Sequence, residues 1–236
     1  MIDIHAHILP EIDDGAQSLE ESLEMLCLAE EDGITHIAAT PHIFGRLERE
    51  QSDLISKKHR ELKRFSGEAG LSLEIHLACE IFITPDFDSL LEYPCGTFDG
   101  KVRFILIEFS MTDLPFGYES ILGNIVKAGV TPIIAHPERN YRVNQNLQYA
   151  QNMIDSGAML QVNSGSLLGS YGKKIRKTAV KMLEREMIFA VASDAHDTSN
   201  RSTNMSAGRR LIVKLTDEDT ADRLTLNNPE YVLGAE

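Results

Sequence analysis

Strand-length apolar runs that alternate with helix-period segments predict an α/β fold built on a parallel sheet. Two further observations sharpen that class. The alternation supplies seven strands across 236 residues, a number and length at which right-handed crossovers can close into a barrel. Five of the eight histidines, with several carboxylates, stand at or just past strand ends, where the βα loops of a barrel carry function.

The first strand lies within MIDIHAHILPEIDDGA, Met1 to Ala16. A period of two puts Asp3, His5 and His7 on one face, with Ile2, Ile4 and Ala6 on the other. Two imidazoles a pleat apart can grip one metal ion while Asp3 orients a ring nitrogen from behind. The competing reading is a buried strand whose histidines are satisfied in the core. Asp13-Asp14-Gly15 follows as a turn with two carboxylates. Ser18-Leu19-Glu20-Glu21 is a capping-box helix start, and Leu19, Leu23, Leu26 and Cys27 form the apolar stripe that Gly33 ends.

The strand Ile34 to Thr40 runs into Pro41-His42. A charged helix spans about Ser52 to Ala69; its basic run (Lys57, Lys58, Arg60, Lys63, Arg64) reads as a solvated face. Leu71 to Cys79 alternates as a strand and stops at Glu80, and Pro85 with the acidic turn after it opens a short helix, about Asp86 to Glu92. Val102 to Ile107 is an apolar buried strand ending at Glu108. A helix from Tyr118 to Ala128, closed by Gly129, precedes the strand Val130 to Ala135, which delivers His136-Pro137-Glu138-Arg139.

A helix near Leu147 to Asp155 ends at Gly157 and leads to the strand Ala158 to Asn163. The amphipathic helix Lys173 to Glu186 precedes the strand Met187 to Ser193, which ends at Asp194-Ala195-His196. Helices near Met205 to Leu215 and Asp217 to Leu226 follow, and Asn228-Pro229 is expected to break the last. No linker, repeat or composition shift interrupts this order, so residues 1–236 read as one domain.

A formal net charge of -13 argues against sequence-independent nucleic-acid binding, which needs a cationic surface. No apolar run approaches the ~20 residues that span a bilayer, so no membrane insertion is expected. A strand that begins at Ile2 leaves no room for a signal peptide. The three cysteines form no CxxC, and their odd count suggests a reducing compartment, hence a cytoplasmic protein. The sequence is compatible with a homo-oligomer.

Nine His, Asp and Glu residues fall at the expected barrel mouth: His5, His7, Asp14, His42, Glu80, Glu108, His136, Asp194 and His196. His36 and His76, mid-strand, and His59, on a charged helix, read as structural or solvated. Nine ligands exceed what one tetrahedral ion needs, which implies two or three ions sharing carboxylates. Mixed nitrogen and oxygen ligation suits manganese, iron, cobalt or zinc. Such a cluster suits hydrolysis of a charged ester, and Arg139 and Arg201 could reach its phosphate with a planar fork of donors. Arg46 and Arg142 are weaker candidates. A thiol-based phosphatase of the Cys-x5-Arg kind needs an Arg six residues after its Cys; Cys27, Cys79 and Cys95 are followed there by Gly33, Pro85 and Lys101. A metal-activated hydroxide is therefore the expected nucleophile.

The segments MIDIHAHILPEIDDGA, ATPH, CEIFITPD, LIEFS, TPIIAHPER, QVNSGS and ASDAH together resemble the polymerase-and-histidinol-phosphatase (PHP) superfamily. Within it they look like the manganese-dependent bacterial protein-tyrosine phosphatases of capsule and exopolysaccharide clusters. The resemblance implies a distorted, TIM-like seven-stranded (β/α) barrel with its metals at the C-terminal ends of the strands. It implies three divalent ions, manganese first, with one held by His5, His7, Glu80 and Asp194. Glu80 would bridge to a second, shared with Glu108 and His136, and Asp14, His42 and His196 would hold the third. Arg139 and Arg201 match phosphate-orienting positions, although the loop around Arg201 (SNRSTNM) departs from the pattern expected of relatives. The implied substrate is a phosphotyrosine protein, the cognate bacterial tyrosine kinase. The alternatives are a small-molecule phosphomonoesterase such as a histidinol phosphatase, a proofreading nuclease, which the acidic balance disfavours, and a metal-bound interaction module without turnover.

Overall fold

A computed structural model describes residues 1–83, 88–101 and 103–234. The turn expected at Pro85 and Asp86 and the strand residue Val102 lie outside the described residues. The first half of the chain runs β1 (Ile2–Ala6), α1 (Leu19–Glu31), β2 (His36–Ala39), β3 (His42–Phe44), α2 (Arg49–Glu68), β4 (Glu74–Leu77) and β5 (Glu80–Phe82). After short 3-10 turns come β6 (Phe104–Glu108), α3 (Tyr118–Lys127), β7 (Thr131–Ala135), α4 (Tyr141–Gln145) and α5 (Gln148–Asp155). The chain continues with β8 (Met159–Asn163), α6 (Ser164–Leu168), α7 (Lys173–Glu184) and β9 (Ala190–Ala192). Helices α8 (Met205–Leu215), α9 (Glu218–Asp222) and α10 (Asn228–Leu233) follow.

Every strand pairing is parallel, in the orders β1-β2-β4 and β3-β5-β6-β7-β8-β9. Two of the seven expected strands, Ile34 to Thr40 and Leu71 to Cys79, are each followed at once by a further short strand in the other sheet. The run from Ile34 breaks at Pro41, which has no N–H for a ladder, and His42 opens β3. The run from Leu71 ends at Leu77, and Glu80, expected to stop a strand, instead opens β5. Between β9 and β1 there is no ladder among the described residues. A single parallel bridge from Ala6 to Ala195 joins them, with the His7 N–H donating to the Ala195 carbonyl (2.8 Å) and the Asp194 N–H to that of His5 (2.9 Å). The mixed α/β architecture with parallel sheets is as expected; hydrogen bonding does not close it into a continuous barrel.

The α1 start follows its sequence: Ser18 Oγ accepts from the Glu21 N–H at 3.2 Å, and the Glu21 carboxylate accepts from that of Gln17 at 2.8 Å. Asn228-Pro229 does not break the helix: α9 runs on through a π-helical turn, Arg223–Asn227, straight into α10, and Pro229 stands in the first turn of α10. The strands carry two apolar faces. Ile2, Ile4, Phe104, Leu106, Ile133, Ala135, Ala190 and Ala192 form one cluster with Phe98 and with Val232 and Leu233 of α10. Ile105, Ile107, Ile134, Leu160, Val162 and Val191 face the other way into the larger core shared with the helices. Among the described residues no helix is long and apolar enough to cross a membrane.

Candidate metal centre

The end of β6, the first residues of β3 and β5, and β1 with the loops after β1, β7 and β9 bring all nine expected ligands together. His5 and His7 are fully buried, with their Nε2 atoms 3.2 Å apart. Glu80, at the start of β5, places Oε2 3.2 Å from His5 Nε2, 3.3 Å from His7 Nε2 and 3.0 Å from His42 Nδ1. Its other oxygen lies 2.8 Å from His136 Nε2. Glu108, at the end of β6, stands 3.7 Å from His42 and 3.9 Å from His136. Asp194 Oδ1 is 3.6 Å from the Nε2 atoms of both His5 and His7. Asp14 Oδ1 is 3.4 Å from Nε2 of both His42 and His196.

The ligand atoms group within 4.8 Å as His7/Asp14/His42/His196, His5/His7/Glu80, His5/His136/Asp194 and His42/Glu80/Glu108. The sets overlap. Asp14, His42 and His196 stay together as the resemblance implies, whereas His42, rather than His136, groups with Glu80 and Glu108.

The side chains behind the ligands fix their tautomers. The Gln161 amide nitrogen donates to Asn163 Oδ1 (2.9 Å), so its oxygen faces His5 Nδ1 at 2.9 Å and leaves the Nε2 lone pair for the cluster. Asp13 Oδ2 meets His7 Nδ1 at 2.7 Å and accepts from the His42 N–H at 2.9 Å, while Oδ1 accepts from the Gly15 N–H at 3.0 Å. His196 Nδ1 meets the Asp194 carbonyl at 3.0 Å. Asp3 does not orient a ring. A register irregularity in β1 between Asp3 and Ala6 accompanies a different use of it, accepting from the backbone N–H groups of His5 (3.2 Å) and Ser193 (3.0 Å). The carboxylate therefore ties β1 to the end of β9.

Both arginines converge on Asp194. Arg139 Nη1 is 2.7 Å from Oδ2, and Arg201 Nη2 is 3.3 Å from both oxygens. Arg201 Nη1 also lies 3.5 Å from Asp14, and the Arg139 guanidinium sits 4.4 Å from the Tyr171 ring centroid. Among the described residues Arg46 pairs with exposed Glu48 and Arg142 with exposed Asp113, and neither weaker candidate reaches the cluster. The orienting residues Asp13, Gln161 and Asn163, and Tyr171 beside Arg139, are additions to the sequence reading. Asp13 and the QVNSGS segment carried a visible signal; Tyr171 carried none.

The charges are mutually dependent. Burial disfavours an ionised His7, but hydrogen bonds and charges from Asp13 and Glu80 outweigh it and raise its pKa to about 10. Burial pushes the Asp13 carboxyl up, and His7 with the two backbone donors overcomes this to hold it at about 2. Burial, then the Glu80 charge, raises Glu108. Burial and the neighbouring His7 lower His196 to about 3, against the pull of Asp194.

Such a donor set fits divalent metal ions. Four imidazoles and three carboxylates of the nine ligands are buried, and buried charges of this density are paired or coordinate metals. His42 Nδ1 and Glu80 Oε2, 3.0 Å apart but not aligned as a hydrogen bond, and His196 Nε2 are buried in the cluster, and each is an atom that a cation would engage.

The chain matches the family model for capsular polysaccharide synthesis, CpsB/CapC, over residues 1–234. It belongs to the CpsB/CapC family. CapC of Staphylococcus aureus is 36% identical over 201 residues, covering 85% of this chain and 79% of its own. The tyrosine-protein phosphatase YwqE of Bacillus subtilis is 31% identical over 227 residues, covering 96% and 89%. A solved structure from work on YwqE of B. subtilis and CpsB of Streptococcus pneumoniae, described as metal-dependent tyrosine phosphatases, superposes with a TM-score of 0.93 at 30% identity. That match covers 100% of this chain and 95% of the other.

Proposed function

We propose that this CpsB/CapC-family chain is a metal-dependent protein-tyrosine phosphatase, with a cognate bacterial tyrosine kinase of capsule or exopolysaccharide synthesis as its substrate in the cytoplasm. The observation that carries the reading is the single connected cluster of His5, His7, Asp14, His42, Glu80, Glu108, His136, Asp194 and His196, with two guanidinium groups at its edge. These nine residues would hold three divalent ions, manganese first. Bound divalent ions lower the pKa of a water and offset the charge of a phosphoryl group.

The chain's own residues supply the rest. Gln161, Asp13 and the Asp194 carbonyl keep the imidazole rings in the ligating tautomer. Arg139 and Arg201 present donors to a phosphate beside Asp194 and offset charge as the ester bond breaks. A pocket of ≈ 440 Å³ lined by Ile12, Asp13, Asp14, His42, Phe44 and Gln51 opens beside the cluster. Phe44 is 70% exposed there, with its ring 5.3 Å from His42 and 6.0 Å from Phe82, a surface on which an aromatic leaving group can pack. A phenolate with a pKa of about 10 leaves without a strong general acid. Steady-state rates of the manganese-loaded protein on phosphotyrosine, phosphoserine and histidinol phosphate test this, with a chelator control. Preference for phosphotyrosine is expected. Preference for histidinol phosphate would make the protein a small-molecule phosphatase, and metal binding without any hydrolysis would make it an interaction module.

A further inference from the structure

A second cluster of ligand atoms lies on β2 and β4, strands that contribute no ligand to the first. His36 opens β2, Glu74 opens β4 directly opposite it, and His76 follows two residues later on β4. On sequence alone the two histidines read as structural or solvated. The β2–β4 register brings His36 Nδ1 to 3.1 Å from His76 Nε2 and 3.7 Å from Glu74 Oε2. All three ligand atoms lie within 4.8 Å of one another. Two nitrogens each about 2.05 Å from a tetrahedral zinc stand about 3.3 Å apart, close to the spacing here.

The support around His76 is that of a metal ligand. Asp99 Oδ2 meets its Nδ1 at 2.7 Å, and Oδ1 accepts from the Leu77 N–H at 3.0 Å. The carboxylate thereby accepts the Nδ1–H and leaves the Nε2 lone pair facing His36, the carboxylate–histidine–metal arrangement. Asp99 adopts a left-handed backbone with φ of 50°, a conformation that a non-glycine residue takes at a cost and that recurs at functional sites. The His76 side chain is 7% exposed, while His36 (26%) and Glu74 (57%) open the cluster to solvent, so an ion can enter and a water can complete its shell. Burial, then the facing His76, lowers the His36 pKa against the pull of Glu74 and Glu230, which favours the neutral, ligating ring.

We propose that His36, Glu74 and His76 form a separate site for one zinc-class divalent ion, with water as the fourth ligand and Asp99 positioning His76. The ion would staple β2 to β4 at their N-terminal ends. Two imidazoles and one carboxylate suit zinc, cobalt or nickel better than magnesium or calcium. The site shares no residue with the first cluster, so its test is independent of the phosphatase reading.

The full chain is saturated with zinc, passed through a desalting column and assayed for bound zinc by mass spectrometry. His36→Gln is expected to hold one zinc equivalent fewer than the wild type. His59→Gln, whose ring meets the Ile75 carbonyl at 3.2 Å outside the cluster, is expected to hold the full number. Equal zinc in wild type and His36→Gln would overturn the proposal and leave a hydrogen-bonded histidine pair only; equal losses in both variants would overturn it too. Should His36→Gln fail to fold, anomalous diffraction at the zinc edge from soaked wild-type crystals decides. A peak between His36, Glu74 and His76 supports the site, and peaks confined to the His5/His7 cluster refute it.

Discussion

Replacing Gly15 with alanine tests how tightly the loop that carries Asp13 and Asp14 is locked to the metal strand. A Cβ at Gly15 would stand 2.1 Å from the His7 carbonyl oxygen and 2.5 Å from the His7 Cβ. Backbone and Cβ atoms cannot swing aside, and the Ala16 N–H already holds that carbonyl at 3.1 Å. Opening the contact to about 3.0 Å needs a shift of about 0.9 Å. A rigid displacement of that size would stretch the 2.7 Å His7–Asp13 contact to about 3.6 Å, outside hydrogen-bond range. Losing an orienting carboxylate lowers metal affinity about 10–100-fold, or about 1.4–2.8 kcal/mol. The broken buried bond costs about 1–3 kcal/mol of stability in addition. Calorimetric titration of manganese into chelator-stripped Gly15→Ala, beside thermal melts of the metal-free protein, reads both effects. Manganese affinity within twofold of wild type and an unchanged melting temperature would falsify the close-approach argument.

Arg139→Lys keeps a positive charge but loses the planar fork that reaches Asp194 at 2.7 Å, so kcat/KM on an aryl phosphate should fall about 10²-fold. A drop in metal affinity with kcat/KM unchanged at saturating manganese would mean that Arg139 only braces Asp194. Alkylation of exposed Cys27 should leave phosphatase activity intact, because no cysteine belongs to the cluster; inactivation that Cys27→Ser prevents would contradict this. Burial, then the Glu119 charge, raises the Tyr118 phenol well above its usual value of 10. The folded state therefore keeps a proton that the unfolded chain releases, and stability should decline as pH rises above 10. Denaturant melts of Tyr118→Phe should show a shallower alkaline decline, and an identical slope would dismiss the assignment.

What the sequence made legible follows from what one strand can show. His5, His42, Glu108, His136 and Asp194 stand at the ends of apolar runs, so a parallel topology sufficed to gather them. Arg139 was reachable because it follows His136 by three residues. Side chains set by pairing between distant segments were not legible in this way. Gln161 orients His5 only because β8 lies beside β7 and β9, and nothing in its own segment points at residue 5. His36 and His76 look mid-strand and unrelated until the β2–β4 register places them 3.1 Å apart. Asp3 misled because one of the backbone N–H groups that it accepts from, that of Ser193, is brought to it only by the meeting of β1 with the end of β9. Pro229 misled because a π-helical turn, Arg223–Asn227, carries the helix on into the proline.

Anomalous diffraction from manganese-loaded crystals addresses the metal cluster most directly. Peaks among His5, His7, Glu80, Asp194 and the Asp14/His42/His196 group are the expected result. A fully loaded, active crystal with no peak within coordination distance of these side chains would contradict the account.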